Sequence, residues 1–223
     1  MNVRIAVAGL AFLGALTTSA NATPRDDLFT AVQIDNLRDV RRLVQDGIVD
    51  PNTTDAKGDT VLIAAIRSDA NRVIEYLVTS GKVTLEATNS TQETPLMIAA
   101  YRSNKDAVDK LLAQGVQVNR NGWTALHYAA SAGNVDIVTA LLARSAEINA
   151  LSPNRTTPLM MAARGDHPEV CRLLIAKNAD PTLTNDRDLT ASDFALRAND
   201  PGLATYLKDQ ATSWTTRSTS PKK

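Results

Sequence analysis

Cysteine is almost missing from this chain: Cys171 stands alone among 223 residues. A single thiol closes no internal disulfide, so the fold must be held by packing. Histidine is as scarce, with only His127 and His167, and the three residues do not meet the ligand spacing of a zinc site. The glycines form neither a phosphate-cradling loop nor the G-x-S-x-G turn of a serine hydrolase. No catalytic set, metal or cofactor is therefore expected, and the chain reads as non-enzymatic. An excess of one charge is missing too, since 24 basic residues face 24 acidic ones. Such a balance gives no reason to expect general binding to nucleic acid or membrane surfaces.

Long apolar runs are confined to the N-terminus. Arg4 precedes the stretch Ile5 to Leu16, and small residues follow at Ser19-Ala20-Asn21-Ala22. This is the pattern of a secretory signal peptide, and it is shorter than the roughly 20 residues of a membrane-spanning helix. Residues 1–22 are expected to be removed after Ala22, which starts the mature chain at Thr23 and makes it periplasmic or secreted. An uncleaved anchor is the alternative. Loss of Arg4 leaves a net charge of −1, and no later segment is long enough to span a membrane. Asn52-Thr53-Thr54, Asn89-Ser90-Thr91 and Asn154-Arg155-Thr156 match a glycosylation signal that matters only in a eukaryotic secretory route. Thr-rich loops account for them as well, and a bacterial envelope is the simpler home.

What the chain has is a repeat. Asp26, Thr60, Thr94, Thr124, Thr157 and Thr190 are each followed, five residues on, by Ala31, Ala65, Ala99, Ala129, Ala162 and Ala195. Seventeen residues on come Leu43, Leu77, Leu111, Leu141, Leu174 and Leu207. Asp and Thr are good helix N-caps, and Pro95 and Pro158 follow at the first helical position, where proline is tolerated. The alanine lets neighbouring helices approach. Apolar pairs such as Ile137-Val138 and Leu141-Leu142 then form the buried stripe of a second helix. Gly47, Gly81, Gly115, Ser145 and Asn178, 21 residues after each of the first five caps, mark its left-handed end. Only the connection to the next cap varies, and it is shortest between Gly115 and Thr124. A rigid two-helix unit with a variable finger is predicted.

The segment Gly122 to Gly133, GWTALHYAASAG, resembles the ankyrin-repeat signature T-P-L-H-x-A, and Thr94 to Ala99 and Thr157 to Ala162 are close variants. The resemblance covers roughly residues 26–210. It implies an all-α solenoid of about six stacked antiparallel helix pairs, with hairpin or loop fingers along one side. The terminal repeats would be polar caps: Arg38, Arg41, Arg42 and Asp46 lie in the first, and Ser192 and Lys208 in the last. Residues 211–223, Thr/Ser-rich, are expected to be disordered. The family's histidine survives only at His127 and gives way to Ile63, Met97, Met160 and Asp193, where a bond to the neighbouring loop should be lost. Cys171 aligns with Val40, Ile74, Val108 and Val138, as a buried apolar residue would.

The resemblance also implies a protein partner held on the concave face. Carried over by column, the candidates are Arg67, Tyr101, Arg102, Trp123, Arg164 and Arg197. The arginines would meet an acidic surface, or else simply lie solvated near helix C-termini. Trp123 would face the groove or pack on the adjacent loops, and the short finger beside it should leave a notch. Similar exported bacterial proteins include some linked to catalase and peroxide resistance and others that neutralise secreted toxins as immunity proteins. The mature protein is expected to be a monomer.

Overall fold

The computed structural model describes residues 22–219, so the leader-like segment lies outside the described residues, apart from Ala22. Twelve helices run in six pairs. They are α1 (Pro24–Gln33) with α2 (Leu37–Gln45), α3 (Val61–Arg67) with α4 (Asn71–Thr79), α5 (Pro95–Tyr101) with α6 (Lys105–Ala113), α7 (Ala125–Ala132) with α8 (Val135–Ala143), α9 (Pro158–Arg164) with α10 (Pro168–Ala176), and α11 (Ala191–Arg197) with α12 (Pro201–Thr219). First helices stack on first helices, and α2, α4, α6, α8 and α10 form a second row. The fingers are loops: among the described residues the sole β-pairing is an isolated bridge between Thr54 and Thr60.

The caps explain where each first helix starts. The hydroxyls of Thr60, Thr94, Thr157 and Thr190 accept from the N–H three residues on, at 3.2, 3.3, 3.3 and 3.4 Å. Repeat one departs from expectation. Its N-cap is Thr23, and Asp26 sits three residues inside, where its carboxylate accepts from the Thr23 N–H at 2.9 Å and hydroxyl at 2.8 Å. That reciprocal capping lengthens α1 by one turn.

The four inner repeats each adopt left-handed backbone at three places, of which the sequence pattern disclosed one. Gly47, Gly81, Gly115, Ser145 and Asn178 adopt it after the second helix, as expected. Asp35, Asp69, Ser103, Gly133, Asp166 and Asn199 adopt it between the paired helices, and Gly58, Gln92, Gly122, Arg155 and Asp188 two residues before the cap. Asp and Asn tolerate this region through local hydrogen bonds. Gly133 has a further reason to lack a side chain: a Cβ there would lie 2.4 Å from Nδ1 of His167. The His167 ring occupies that space and bonds the Ser131 carbonyl at 3.0 Å through Nε2.

Packing follows the columns. The six alanines of the first helices are buried, five of them completely, and the six leucines of the second helices are buried with them. Cys171 is fully buried, and burial pushes its thiol up to about 12, far from a reactive thiolate. Arg38, Arg41, Arg42 and Asp46 of the first repeat are exposed, as expected of a cap, although Ile34 is exposed with them, and the guanidinium carbon of Arg41 lies 5.3 Å from the Tyr76 ring centre. Ser192 donates to the Ala204 carbonyl at 2.9 Å, so in this repeat a hydroxyl bond to α12 stands where the other repeats have apolar contact. The disordered tail expected from residue 211 is corrected as far as Thr219, because α12 continues through it. Thr212, Thr215 and Thr216 donate their hydroxyls back to carbonyls one turn earlier. Their polarity is met inside the helix.

His127 joins two repeats. The Thr124 N–H points at its Nδ1 at 3.2 Å, which makes Nδ1 an acceptor and places the ring proton on Nε2. Nε2 then donates to the Thr156 carbonyl at 2.9 Å. Met97 and Met160 reproduce the inner half of this arrangement, each sulfur receiving the N–H of its own cap threonine at 3.4 Å, and Met97 alone of the two also keeps a bond to the next finger, accepting from Arg120 at 3.8 Å.

Burial holds His127 down at about 4 despite its backbone bonds. The unfolded chain takes up that proton near pH 6.5 and the folded one only near 4. Stability should therefore fall as pH drops through this window, by about 3 kcal/mol in all. Thermal melts should show His127→Gln to be less stable than the parent at pH 7, with the gap narrowing toward pH 4. A gap that stays constant with pH would contradict the assignment.

Candidate functional site

Between the first-helix row and the fingers lies a recessed face. Its chemistry changes halfway along the stack. In the N-terminal half, charges are already matched. Arg67, at the end of α3, reaches Asp59 at 2.8 Å and Glu93 at 3.1 Å, on two successive fingers. Glu93 also accepts from Asn89 at 2.9 Å, Thr91 at 2.9 Å and the Tyr128 hydroxyl at 2.8 Å. Burial pushes the Glu93 carboxyl up, but these donors and Arg67 outweigh it and hold the group below the usual range. The Tyr128 phenol is pushed up by burial and by that same carboxylate. Arg102 is likewise engaged, with Asp69 in the α3–α4 turn at 2.7 Å. Two of the four arginines read from the sequence as one basic line thus serve the scaffold.

The C-terminal half is open. Tyr101, Trp123, Tyr128, Ser131, Met161 and Arg164 enclose a cavity of about 230 Å³. Tyr101 and Tyr128 meet edge-to-face at 6.0 Å, and Trp123 stands edge-on to Tyr128 at 6.5 Å and to His127 at 5.3 Å. Tyr101 remains 54% exposed, which leaves much of its ring open to a partner. Beyond Trp123, Met161 and Arg164 a second cavity of about 540 Å³ continues to Asn154, Arg187, Phe194 and Arg197. Of the sequence candidates, Tyr101, Trp123, Arg164 and Arg197 are brought together here. Arg67 borders a separate recess with Lys57 and Ser90, and Arg102 lines neither cavity.

A shortened finger makes this opening. In four fingers a residue five before the cap ties the tip: Asp55, Asn89, Ser152 and Asn185 each accept from the backbone N–H four residues on, at 2.9, 2.9, 2.9 and 3.1 Å. A second position clamps one repeat to the next. Asn52 bonds Lys82 and Thr84, Asn119 bonds Ser145 and Glu147, and Asn149 bonds Asp180. In the finger between Gly115 and Thr124 the clamp survives as Asn119, and the missing residues are those of the tip tie. Trp123 follows directly and is left flanked by a cavity on each side.

Sequence reasoning missed Tyr128, Met161, Phe194 and Arg187 as lining residues. The first three stand four residues after their caps and share a helix face with the residues three further on, Ser131, Arg164 and Arg197. Met160 is buried in the core, while Met161 beside it is partly buried against that core and lines both cavities. A column of bulky residues at that position was the available signal.

Family models for ankyrin repeats match residues 82–152 and 141–195. The chain is similar to Neurogenic locus notch homolog protein 1 of Xenopus tropicalis, 32% identical over 56% of this chain and 5% of that protein. It is also similar to the Ankyrin repeat, SAM and basic leucine zipper domain-containing protein 1 of Dasypus novemcinctus, 36% identical over 45% of this chain and 22% of that protein. The chain thus spans under a quarter of the length of either relative. A chain in the solved structure of the Bd0816 predatory endopeptidase from Bdellovibrio bacteriovorus in complex with immunity protein Bd3460 matches with a TM-score of 0.71 and 30% identity, covering 82% of this chain and 96% of that one.

The two halves of the face should respond differently to mutation. Arg67→Ala leaves Asp59, whose side chain is only 8% exposed, with Asn89 as its remaining side-chain partner, and should cost about 1–3 kcal/mol. Arg164→Ala and Arg197→Ala should stay within about 0.5 kcal/mol of the parent, as exposed side chains away from such networks do. Urea unfolding of the three variants checks the contrast.

Proposed function

The chain belongs to the ankyrin-repeat family, and from that premise we propose that it is a non-enzymatic module that binds a protein on its groove face in the bacterial periplasm. The observation that carries this reading is the open half of the groove. There an exposed Tyr101 and a half-buried Trp123 stand beside Arg164 and Arg197, which no carboxylate of the described residues engages. Aromatic rings and arginine are the side chains that most often anchor interfaces, and free arginines favour a partner with an acidic surface. The protein is a monomer until that partner binds.

Within this class the immunity role is favoured over an adaptor of the catalase type. Its support is the likeness to a chain of the endopeptidase–immunity protein complex, which extends over nearly the whole of that chain. Neutralising an exported hydrolase needs a rigid surface and no chemistry of its own. Export is supported by the leader-like residues 1–22. Cleavage after Ala22 leaves α1 and its cap intact, and the new amino terminus of Thr23 would keep its bond to Asp26.

Two measurements test this. Intact mass of the protein recovered from the periplasm should correspond to a chain starting at Thr23; retention of residues 1–22 would remove the case for a cleaved leader. Tagged mature protein should capture from the envelope fraction a hydrolase that it inhibits at equimolar ratio, and the Tyr101→Ala, Trp123→Ala double variant should lose both capture and inhibition. A captured protein with no hydrolytic activity would favour the adaptor, and capture unaffected by the double variant would move the interface off the groove.

A further inference from the structure

The two cavities differ in chemistry in a way that specifies what should lie in them. The larger one is bordered by three guanidinium groups: Arg164 at the end of α9, Arg197 at the end of α11, and Arg187 at the tip of the last finger. None of the three forms an ion pair among the described residues. Two carboxylates near them in sequence have partners of their own. Asp193 accepts from the Thr190 N–H and hydroxyl at 2.8 and 2.7 Å, and those bonds, with a smaller contribution from the charge of Arg197, hold its carboxyl below the ordinary range. Asp186 lies 3.9 Å from Arg155. Elsewhere along the face Arg67 is matched by two carboxylates and Arg102 by one. Three unmatched cations around one recess, in a chain with no net charge, create a local positive field that an incoming carboxylate would neutralise.

The smaller cavity has no such charge apart from Arg164 at its edge. Its walls are Tyr101, Trp123, Tyr128 and Met161. About 230 Å³ is below the usual range of small-molecule sites, roughly 300–1,000 Å³, and suits a single large side chain. Trp123, Met161 and Arg164 are common to both cavities, so the two are neighbours and one segment can reach both.

We infer that this half of the groove is a two-part receptor for one segment of a protein partner, taking an aspartate or glutamate into the Arg164–Arg187–Arg197 cup and a nearby large apolar side chain into the Tyr101–Trp123–Tyr128 cavity. The inference rests on the protein-binding reading and narrows it. The N-terminal half, its charges already satisfied, contributes little to recognition. Arg187 becomes a specificity residue because it is the only cup member carried on a finger.

Panning a phage-displayed random 12-residue peptide library against the mature protein tests this without knowledge of the partner. Enriched peptides, resynthesised with fluorescein, would be titrated against the parent and against Arg187→Glu, Tyr101→Ala, Trp123→Ala and, as a control outside the groove, Arg38→Glu, with melting curves to verify folding. The expected peptides carry an acidic residue within a few positions of an aromatic or large aliphatic one. Their affinity should fall tenfold or more with Arg187→Glu and with Tyr101→Ala, weaken with added salt, and be unchanged by Arg38→Glu. Enriched peptides without an acidic preference, unaffected by Arg187→Glu but lost with Trp123→Ala, would overturn the cup and leave the protein-binding groove standing. No enrichment, or binding indifferent to every groove variant, would overturn the receptor and count against that groove as well. An added arm with sodium citrate and sodium phosphate distinguishes a site for small free anions: binding of these at micromolar concentration with no peptide enriched would overturn the inference.

Discussion

Close approach between successive first helices is the constraint on which everything else depends. A single helix pair buries one face at most, and only stacking turns that face into a core. The fully buried alanines at 65, 99, 129, 162 and 195 allow that stacking, because a larger side chain would hold the helices apart and open gaps in a close-packed interior. Once the helices touch, the left-handed turns between them and the capping threonines are set. The fingers then emerge at one edge at regular intervals, and a face of first helices and fingers exists as a by-product of packing.

Hydrogen bonds then determine how rigid each part of that face is. The tip ties at Asp55, Asn89, Ser152 and Asn185 close four fingers on themselves. The Asn clamps and the His127 bond to Thr156 lash neighbouring repeats together. Removing three residues from one finger deletes a tie but spares a clamp. The stack therefore stays continuous while a cleft opens beside Trp123. A preformed cleft of this kind binds with little ordering of its own, which lowers the entropic cost of association.

Much of this was legible in the chain alone. The phase of Thr, Ala and Leu located both helices of every repeat, Pro95 and Pro158 marked helix starts, and glycine or its substitutes marked the ends. The misread cap at Asp26 shows the limit of column reasoning, because Thr23 lies outside the repeating pattern and wins by reciprocal bonding. The tail misled for a similar reason. Threonine-rich composition suggests solvated chain, yet a helix already nucleated by α12's buried Leu203, Ala204 and Leu207 extends through residues that bond their hydroxyls locally.

For the candidate site the division is sharper. Residue types and spacing determined that Tyr101, Trp123, Arg164 and Arg197 would come to one face, because helical periodicity and repeat phase are local properties of sequence. They also pointed to the short finger. Whether an arginine there is free or already matched depends on where carboxylates distant in sequence come to lie, and only the folded structure brings Asp59 and Glu93 to Arg67 and Asp69 to Arg102, while among the described residues none comes within ion-pair distance of Arg164, Arg187 or Arg197. Charge is written in the sequence, but its neutralisation is a matter of distance in space.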